Sequence, residues 1–149
     1  MKKFLLSSGL LIMLSSSITT GAFAEGGSYT PEPLKKTEEI GTLATCSPLY
    51  TWDLVWNWSR DWTAKSTSYK NCSGTVTRDA IKEISAKVRI YRNGALNNSK
   101  TDTQKSTSYA GVRATSTGSS TSGTWEAYGT HIFKKTGYAD HSFETYDKE

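Results

Sequence analysis

The sequence contains few of the residues from which catalytic and metal sites are usually built. Only two histidines and two cysteines occur among its 149 residues. They do not stand at the spacing of zinc ligands, and no third ligand accompanies them in a recognisable pattern. The Gly-x-Ser-x-Gly motif of many serine hydrolases is absent as well. We therefore expect no enzyme activity, no catalytic residue, no metal ion and no cofactor.

The chain also lacks an apolar run long enough to cross a bilayer, which takes about 20 residues. Its longest apolar segment, Phe4–Leu14, follows the basic Lys2 and Lys3 and precedes the small-x-small sequence Ala22-Phe23-Ala24. This order is typical of a secretory signal peptide that is cleaved after the last small residue. A retained membrane anchor is the alternative. We expect a signal peptide at residues 1–24 and a secreted, extracellular protein without a transmembrane segment.

A large excess of charge of either sign is missing too. The net charge of +4 falls to +2 when Lys2 and Lys3 are removed with the signal peptide, because the first acidic residue is Glu25. Proteins that bind nucleic acid carry a basic stripe or patch, so the composition disfavours a nucleic-acid partner.

The two cysteines, Cys46 and Cys72, both lie in the part of the chain that follows the predicted cleavage site. An exported chain meets an oxidising compartment, where cysteine pairs form disulfides. We predict a Cys46–Cys72 disulfide, with two separate thiols as the alternative.

Residues 25–43 have the composition of a flexible linker. They contain Gly26-Gly27, Pro31, Pro33 and a charged run from Lys35 to Glu39, which favour chain entropy over packing. A short strand near Ile40–Ala44 is compatible with this segment. The remaining residues, 44–149, form the predicted domain.

The segment Thr51–Trp62 alternates with a period of two. One parity carries the aromatic and apolar residues, and the other parity carries Asp53, Asn57, Ser59 and Asp61. Successive side chains of a strand point to opposite faces, so the pattern predicts one half-buried strand with an aromatic face. The residues of that face are Trp52, Leu54, Trp56, Trp58 and Trp62.

A second amphipathic strand spans Ile84–Ile90, and Asn93-Gly94 behind it suits a type I′ hairpin turn. The polar return segment Ala95–Thr103 is predicted to be an edge strand. Residues Arg78–Lys87 also fit a helix, but the β-branched continuation favours a strand. Further predicted strands are Tyr109–Thr115, Thr124–Lys134 and His141–Asp147. The sequence thus predicts an all-β fold, a small antiparallel β-sandwich of six to seven strands.

The tryptophan row is the main candidate for a binding surface. Exposed indoles stack on sugar rings or enter a membrane interface, whereas the alternative is that the row forms the core. A compromise places Trp56 and Trp58 inside and Trp52 and Trp62 nearer the rim. Arg60 follows the same parity, so Trp52, Arg60 and Trp62 are the predicted contact residues.

Two further patterns suggest weaker hypotheses. Ser142, His131 and Asp140 offer the residue types of a hydrolase triad, without a motif that positions them. Lys87 and Arg89 lie on the outer face of the second strand, where a cationic surface would suit an anionic cell-wall polymer. Ordinary solubility and edge protection explain the same charges.

Three segments, 86–94, 125–131 and 143–145, resemble an uncharacterised family of small secreted β-rich proteins of Gram-positive bacteria. They read Ala-Lys-Val-Arg-Ile-Tyr-Arg-Asn-Gly, Trp-Glu-Ala-Tyr-Gly-Thr-His and Phe-Glu-Thr. Residues 109–114, Tyr-Ala-Gly-Val-Arg-Ala, are similar to strands of lactococcin-type bacteriocins. The histidine-rich start usual in those bacteriocins is missing, and this chain is longer. The resemblance implies export and a β-rich fold, and it supplies no functional residue.

These observations together favour a secreted, non-enzymatic β-sandwich that binds a cell-surface or cell-wall component. A secreted bacteriocin or toxin-like antimicrobial factor is the alternative, and a small extracellular hydrolase is the third hypothesis. The sequence does not distinguish a monomer from an oligomer.

Overall fold

The computed structural model describes residues 26–34, 46–57, 60–119 and 122–149, and this part of the chain forms strands and turns without a helix. The predicted signal peptide, residues 35–43 of the predicted linker and the possible strand at Ile40–Ala44 lie outside the described residues. The strands are β1 Gly26–Tyr29, β2 Cys46–Asn57, β3 Asp61–Cys72, β4 Thr75–Arg78, β5 Ile81–Arg92, β6 Ala95–Thr107, β7 Tyr109–Thr115, β8 Trp125–Lys134 and β9 His141–Lys148.

These strands form two antiparallel sheets. The first sheet has the order β1-β2-β3-β4, and β7 also pairs with β3, whereas the second sheet has the order β6-β5-β8-β9. Strand β7 pairs with Asp61–Thr67 of β3 and β4 pairs with Tyr69–Cys72, so these two strands share one edge of β3. The sheets pack against each other, as β5 contacts β3 and β7. The predicted all-β sandwich is confirmed, and the described residues form nine strands where six to seven were predicted.

Tight turns join the successive strands where the sequence provides residues that accept a positive φ. Asn93 and Gly94, between β5 and β6, have φ values of 49° and 79°, as a type I′ turn requires. The predicted hairpin is therefore confirmed, and β6 is an edge strand as expected. Ser73 and Gly74 form the equivalent turn between β3 and β4, with φ values of 51° and 89°.

The core lies between the two sheets and is built from alternate residues. Strand β5 buries Ile84, Ala86, Val88 and Ile90, which share the parity predicted from the sequence. Because the adjacent positions of a strand face away from the core, this alternation leaves one face of each sheet to solvent. The other buried apolar side chains are Tyr50, Leu54, Trp62, Ala64, Ile81, Ala110, Ala114, Trp125, Ala127 and Phe133.

Stacked aromatic rings connect β2 to the β8–β9 side of the second sheet. Tyr50 stacks on Phe133 with ring centroids 4.5 Å apart, and Trp52 stacks on Phe143 at 3.8 Å. Such aromatic pairs contribute about 0.5–1.5 kcal/mol each beyond the area that they bury. This side of the sandwich is thus held by side-chain contacts between the sheets.

The prediction of a single strand from Thr51 to Trp62 is wrong. Strand β2 ends at Asn57 and β3 begins at Asp61, so the aromatic row folds into a hairpin in which Trp56 is the cross-strand partner of Trp62. Arg60 in the turn has a φ of 54°. The amide of Asn57 donates to Thr63 Oγ1 at 2.8 Å and closes the hairpin end. A period of two is maintained across the turn, which is why the alternation does not reveal it.

Strand β1 lies inside the segment predicted to be a linker. Gly26–Tyr29 pairs with Asp53–Tyr50 of β2. A Cβ atom at Gly27 would come within 2.8 Å of the Trp52 ring, so glycine lets the β1 backbone approach that indole closely. Pro33 further forms an isolated bridge with Tyr138. The glycines that suggested flexibility serve here for close packing.

The helix considered for Arg78–Lys87 does not form. Residue 78 ends β4, and β5 begins at Ile81 and continues through Val88 and Ile90. The extended reading of this segment is confirmed. The predicted strands near Tyr109, Thr124 and His141 are also confirmed, since they correspond to β7, β8 and β9.

The predicted disulfide is confirmed, and it closes the open end of the β2–β3 hairpin. Cys46 and Cys72 are cross-strand partners at a sequence separation of 26. Replacing both cysteines by serine should lower the free energy of unfolding by about 3 kcal/mol, because the unfolded chain regains loop entropy. Urea denaturation of the variant and the natural protein measures this difference. Equal stability of the two proteins would show that the hairpin needs no covalent closure.

Candidate binding surfaces on the β-sandwich

The structure does not bring Trp52, Arg60 and Trp62 together on one exposed surface. The Trp52 ring lies between Phe143 and the Gly27 backbone. The Arg60 guanidinium lies over the ring of Trp125, with Cζ 5.3 Å from the ring centroid. Each of the predicted contact residues thus has a structural partner within the described part of the chain.

Trp62 belongs to the core. Its relative exposure is 0 %, and its indole Nε1 donates to Asp147 Oδ2 at 2.7 Å. The cross-strand partner Trp56 is 49 % exposed. The expected order, with Trp56 inside and Trp62 nearer the rim, is therefore reversed, while Trp58 lies outside the described residues. Trp56 is on the inner-facing side of β2, but it lies at the end of the sandwich, where the second sheet covers it incompletely.

The residues of the suggested hydrolase triad do not meet. Ser142 is the cross-strand partner of Ile132, so it lies on the outer face of the second sheet, whereas His131 faces the core. The His131 ring instead contacts Ser66 Oγ at 3.0 Å and Thr145 Oγ1 at 3.1 Å. Ser142 and His131 therefore do not belong to one triad, because they lie on opposite faces of the same sheet.

The Ser66–His131–Thr145 chain is a polar network within the core. Ser66 Oγ donates its proton to the Ser85 carbonyl at 2.8 Å. His131 Nδ1 therefore carries a proton and donates to Ser66, and Nε2 accepts from the Thr145 hydroxyl. All three side chains have 0 % exposure. The network satisfies buried polar groups, and the Ser66 hydroxyl is not exposed to solvent.

Burial also controls the protonation of this histidine. Loss of hydration lowers the pKa of His131 to about 4, and a hydrogen bond from the imidazole to the backbone carbonyl of Lys65 opposes this shift by raising the pKa. The imidazole is therefore neutral at neutral pH. A Cβ atom at Gly129 would lie 2.2 Å from Thr145 Oγ1 and 2.8 Å from His131 Nε2, so the ring occupies the space that a side chain there would need.

The outer face of the second sheet carries a row of aromatic rings at the level of the β5–β6 turn. Tyr91 and Tyr128 meet edge to face with centroids 5.5 Å apart, and Tyr128 lies 5.0 Å from Tyr146. These residues come from β5, β8 and β9, three neighbouring strands. We call this surface, with its polar neighbours, the tyrosine face. It consists of Arg89, Tyr91, Glu126, Tyr128, Glu144 and Tyr146.

Polar contacts fix the side chains of the tyrosine face. Arg89 Nη2 donates to Glu144 Oε1 at 2.8 Å, and its guanidinium lies over Tyr128 with Cζ 5.7 Å from the centroid. The Tyr146 hydroxyl donates to Glu126 Oε1 at 3.0 Å. Burial, reinforced by this hydrogen bond, raises the pKa of Tyr146. The rings are thereby held in defined orientations on regular strands.

The tyrosine face is concave. Together with Gly94, five of its residues line a depression of about 390 Å³, namely Arg89, Tyr91, Glu126, Tyr128 and Glu144. Donors and acceptors alternate around the rings, since a guanidinium and two carboxylates lie among phenol hydroxyls. The sequence pattern places Arg89 on the outer face of β5, but it does not show that β8 and β9 lie beside that strand in this alignment. That alignment follows from the register Arg89–Tyr128–Tyr146.

A second depression, of about 430 Å³, lies at the end of the sandwich where Trp56 is exposed. Its lining comes from β1, β2 and β9 and consists of Gly26, Asp53, Leu54, Val55, Trp56 and Asp147. It differs from the tyrosine face in charge, because its two ionisable residues are both acidic.

Comparisons with known proteins do not indicate what these surfaces bind. The chain matches no family model, no curated protein and no solved structure. Within the described ranges there is no group of three or more histidine, cysteine, aspartate or glutamate side chains able to hold a metal ion. No helix in the same ranges has the length and apolar character needed to cross a membrane.

Proposed function

We propose that this protein is a secreted, non-enzymatic β-sandwich that binds a polysaccharide of a cell surface or cell wall through the tyrosine face. The observation that carries the proposal is the concave row of tyrosine rings, framed by Arg89 and two glutamates, on the solvent side of three paired strands. The Cys46–Cys72 disulfide is consistent with an extracellular location.

The chemistry of the face suits a sugar chain without a large net charge. Pyranose rings offer C–H faces to aromatic side chains and hydroxyl groups to both donors and acceptors. Arg89 supplies donors, and Glu126 and Glu144 supply acceptors, so pairs of hydroxyls find complementary partners. The negative charges of the two carboxylates would repel a strongly anionic polymer. The outer face of β5 alone, with Lys87 and Arg89, would have suggested such a polymer.

Binding is favoured over hydrolysis by the positions of the two glutamates. Glu144 is the partner of Thr130, which lies four residues along β8 from Glu126. Four strand residues span about 13 Å, whereas glycosidases hold their two carboxyl groups about 5–10 Å apart. Both carboxylates also engage protein groups, Glu144 with Arg89 and Glu126 with Tyr146.

Replacing Tyr128, the central ring, by alanine should weaken binding to isolated cell walls at least tenfold, since central aromatic residues dominate such contacts. The protein is produced as the full chain, exported, and recovered outside the cytoplasm. Sedimentation with walls, and competition by soluble wall oligosaccharides, measure the affinity. Tyr109→Ala is the matched control, because Tyr109 is 40 % exposed on the other sheet.

Thermal unfolding of both variants shows that they are folded when tested. Unchanged binding by Tyr128→Ala, or an equal loss with Tyr109→Ala, would contradict the proposal. Permeabilisation of test bacteria by the protein, without retention on walls, would instead favour the antimicrobial alternative.

A further inference from the structure

The first sheet carries a cluster of aromatic and basic side chains on its outer face, where β4 ends and β7 begins beside β3. The Ser68 N–H of β3 donates to the Ser108 carbonyl at 2.9 Å, and the Ser68 carbonyl accepts from the Asp79 N–H at 3.0 Å. The end of β4 and the start of β7 therefore meet at the same residue of β3. The outward-facing side chains at this junction are Tyr69, Arg78 and Tyr109.

Two copies of the pentapeptide Lys-Ser-Thr-Ser-Tyr supply the two rings. The first copy spans residues 65–69 of β3, and the second spans residues 105–109, where the chain passes from β6 of one sheet to β7 of the other. The copies differ in conformation, because Ser106 has a φ of 53° whereas Ser66 lies within a regular strand. The repeated sequence thus provides a pair of rings, Tyr69 and Tyr109, from neighbouring strands on one face.

Both rings contact the guanidinium of Arg78. Its Cζ atom lies 5.7 Å from the centroid of the Tyr69 ring and 5.6 Å from that of the Tyr109 ring. Gly111 permits this arrangement, since a Cβ atom there would overlap the Tyr109 ring. Contacts with ring faces orient a guanidinium without using its N–H groups. The side chain is therefore positioned before a ligand binds, which lowers the entropic cost of binding.

The N–H groups of Arg78 have no acceptor in the part of the chain that the structure describes, and the side chain is exposed. Other arginines are engaged by acceptors of the protein. Arg89 donates to Glu144 Oε1 at 2.8 Å, and Arg113, on the same face as Arg78, donates to Asp61. Arg78 differs from these two arginines because its donors are directed to solvent.

The positive charge of Arg78 is also left uncompensated by the strands around it. The carboxylates of β2, β3 and the β4–β5 connection already face other cations. These cross-strand partners or ion pairs are Asp53–Lys65, Asp61–Arg113 and Asp79–Lys135. An anion can therefore pair with Arg78 without displacing a carboxylate of the described residues.

We infer that Arg78, held by Tyr69 and Tyr109, binds the phosphate group of a phosphate ester. The planar guanidinium offers two parallel N–H donors to two oxygens of one phosphate. A phosphate has further oxygens, which can accept from the phenol hydroxyls of the two tyrosines, whereas a carboxylate has none left to offer. This Arg78 site lies on the opposite sheet from the tyrosine face and does not depend on polysaccharide binding there.

Glycerol phosphate and diglycerol phosphate are suitable probes, because they carry the phosphate as a monoester and as a diester on the same small alcohol. Glycerol and acetate are the controls for the alcohol and for a carboxylate. NMR shifts of the backbone N–H groups of Tyr69 and Tyr109 in the exported full-chain protein measure binding. Both esters should bind, and glycerol and acetate should not. The tighter of the two esters identifies the source as a free phosphorylated compound or as a phosphodiester polymer.

Substitutions of the exposed Arg78 test its role without disturbing the core. Arg78→Gln should weaken phosphate binding about tenfold or more, because both charged donors are lost. Arg78→Lys keeps the charge and loses the planar fork, so binding should weaken about threefold or more. The matched control is Lys87→Gln, which removes one positive charge from the outer face of the other sheet and should change binding by less than about twofold.

Unchanged phosphate binding by Arg78→Gln would overturn the inference, and so would an equal loss with Lys87→Gln, since only overall charge would then matter. Equal binding of acetate would overturn the assignment of phosphate. Polysaccharide binding is tested separately, on walls from which phosphate-containing polymers have been extracted. Arg78→Gln should bind these walls like the natural protein, whereas Tyr128→Ala should bind phosphate esters normally. Loss of one kind of binding without the other shows which of the two proposals fails.

Discussion

Trp62→Ala should lower the free energy of unfolding by about 3–5 kcal/mol, the largest effect that we expect from a single substitution in this protein. Trp62 has 0 % exposure and is the largest fully buried side chain among the described residues. Its removal opens a cavity between the sheets and takes the indole donor away from Asp147. A loss of this size is a large fraction of the 5–15 kcal/mol that stabilises a typical domain.

The matched control is Trp56→Ala, which removes the same side chain from the opposite position of the same hairpin. Because Trp56 is 49 % exposed, its removal should cost about 1 kcal/mol. Chemical denaturation gives both values, and Trp62→Phe separates the lost hydrogen bond from the lost volume. Similar values for the two alanine variants would contradict the assignment of Trp62 to the core and would return it to the predicted contact surface.

The second large effect is a loss of stability in acid through His131. Its pKa is lowered to about 4 in the folded protein, whereas an unfolded histidine titrates near 6.5. The unfolded chain therefore binds more protons between these values, and stability falls as the pH decreases from about 6.5 to 4. The total contribution is about 3 kcal/mol, fully present above the unfolded pKa.

Denaturation curves at pH 7 and pH 5 measure most of this change, which should amount to about 2 kcal/mol. A His131→Gln variant should be less stable at both pH values and should lose most of the dependence on pH. Burial lowers the pKa of His141 as well, and this histidine is only half-buried, so His141→Gln should retain most of the slope. An NMR titration that placed the His131 pKa near 6.5 would contradict the prediction.

Local alternation was sufficient to predict the class of fold. The β5 pattern Ile84, Ala86, Val88 and Ile90 and the turn at Asn93-Gly94 each depend on residues close in sequence, and both are confirmed. The hairpin of β2 and β3 was missed because an odd number of residues separates Asn57 from Asp61, and this number keeps the parity of the aromatic residues unchanged. Strand β1 was missed because the reason for its glycines, contact with Trp52, lies in another strand.

The candidate surfaces depend on the register between neighbouring strands, which the alternation of residues within a single strand does not reveal. Alternation places Arg89 and Tyr91 on an outer face, but Tyr128 and Tyr146 join them only through the alignment of β5, β8 and β9. The same limitation explains why the environments of Trp56 and Trp62 were predicted incorrectly. Trp56 and Trp62 have equal parity and opposite environments, because depth in the sandwich depends on how far the second sheet extends over each of them.

The glycine at position 129 limits which substitutions this part of the core can accept. Any larger residue at this position collides with Thr145 and with the His131 ring, while His131 in turn donates to Ser66 and accepts from the Thr145 hydroxyl. A larger residue at 129 is therefore penalised by steric overlap, and an apolar residue in place of His131 is penalised because buried hydroxyls lose their partner. Only a concerted change, in which alanine at 129 is accompanied by smaller apolar residues in place of both Thr145 and His131, removes the overlap and the unpaired Thr145 hydroxyl together.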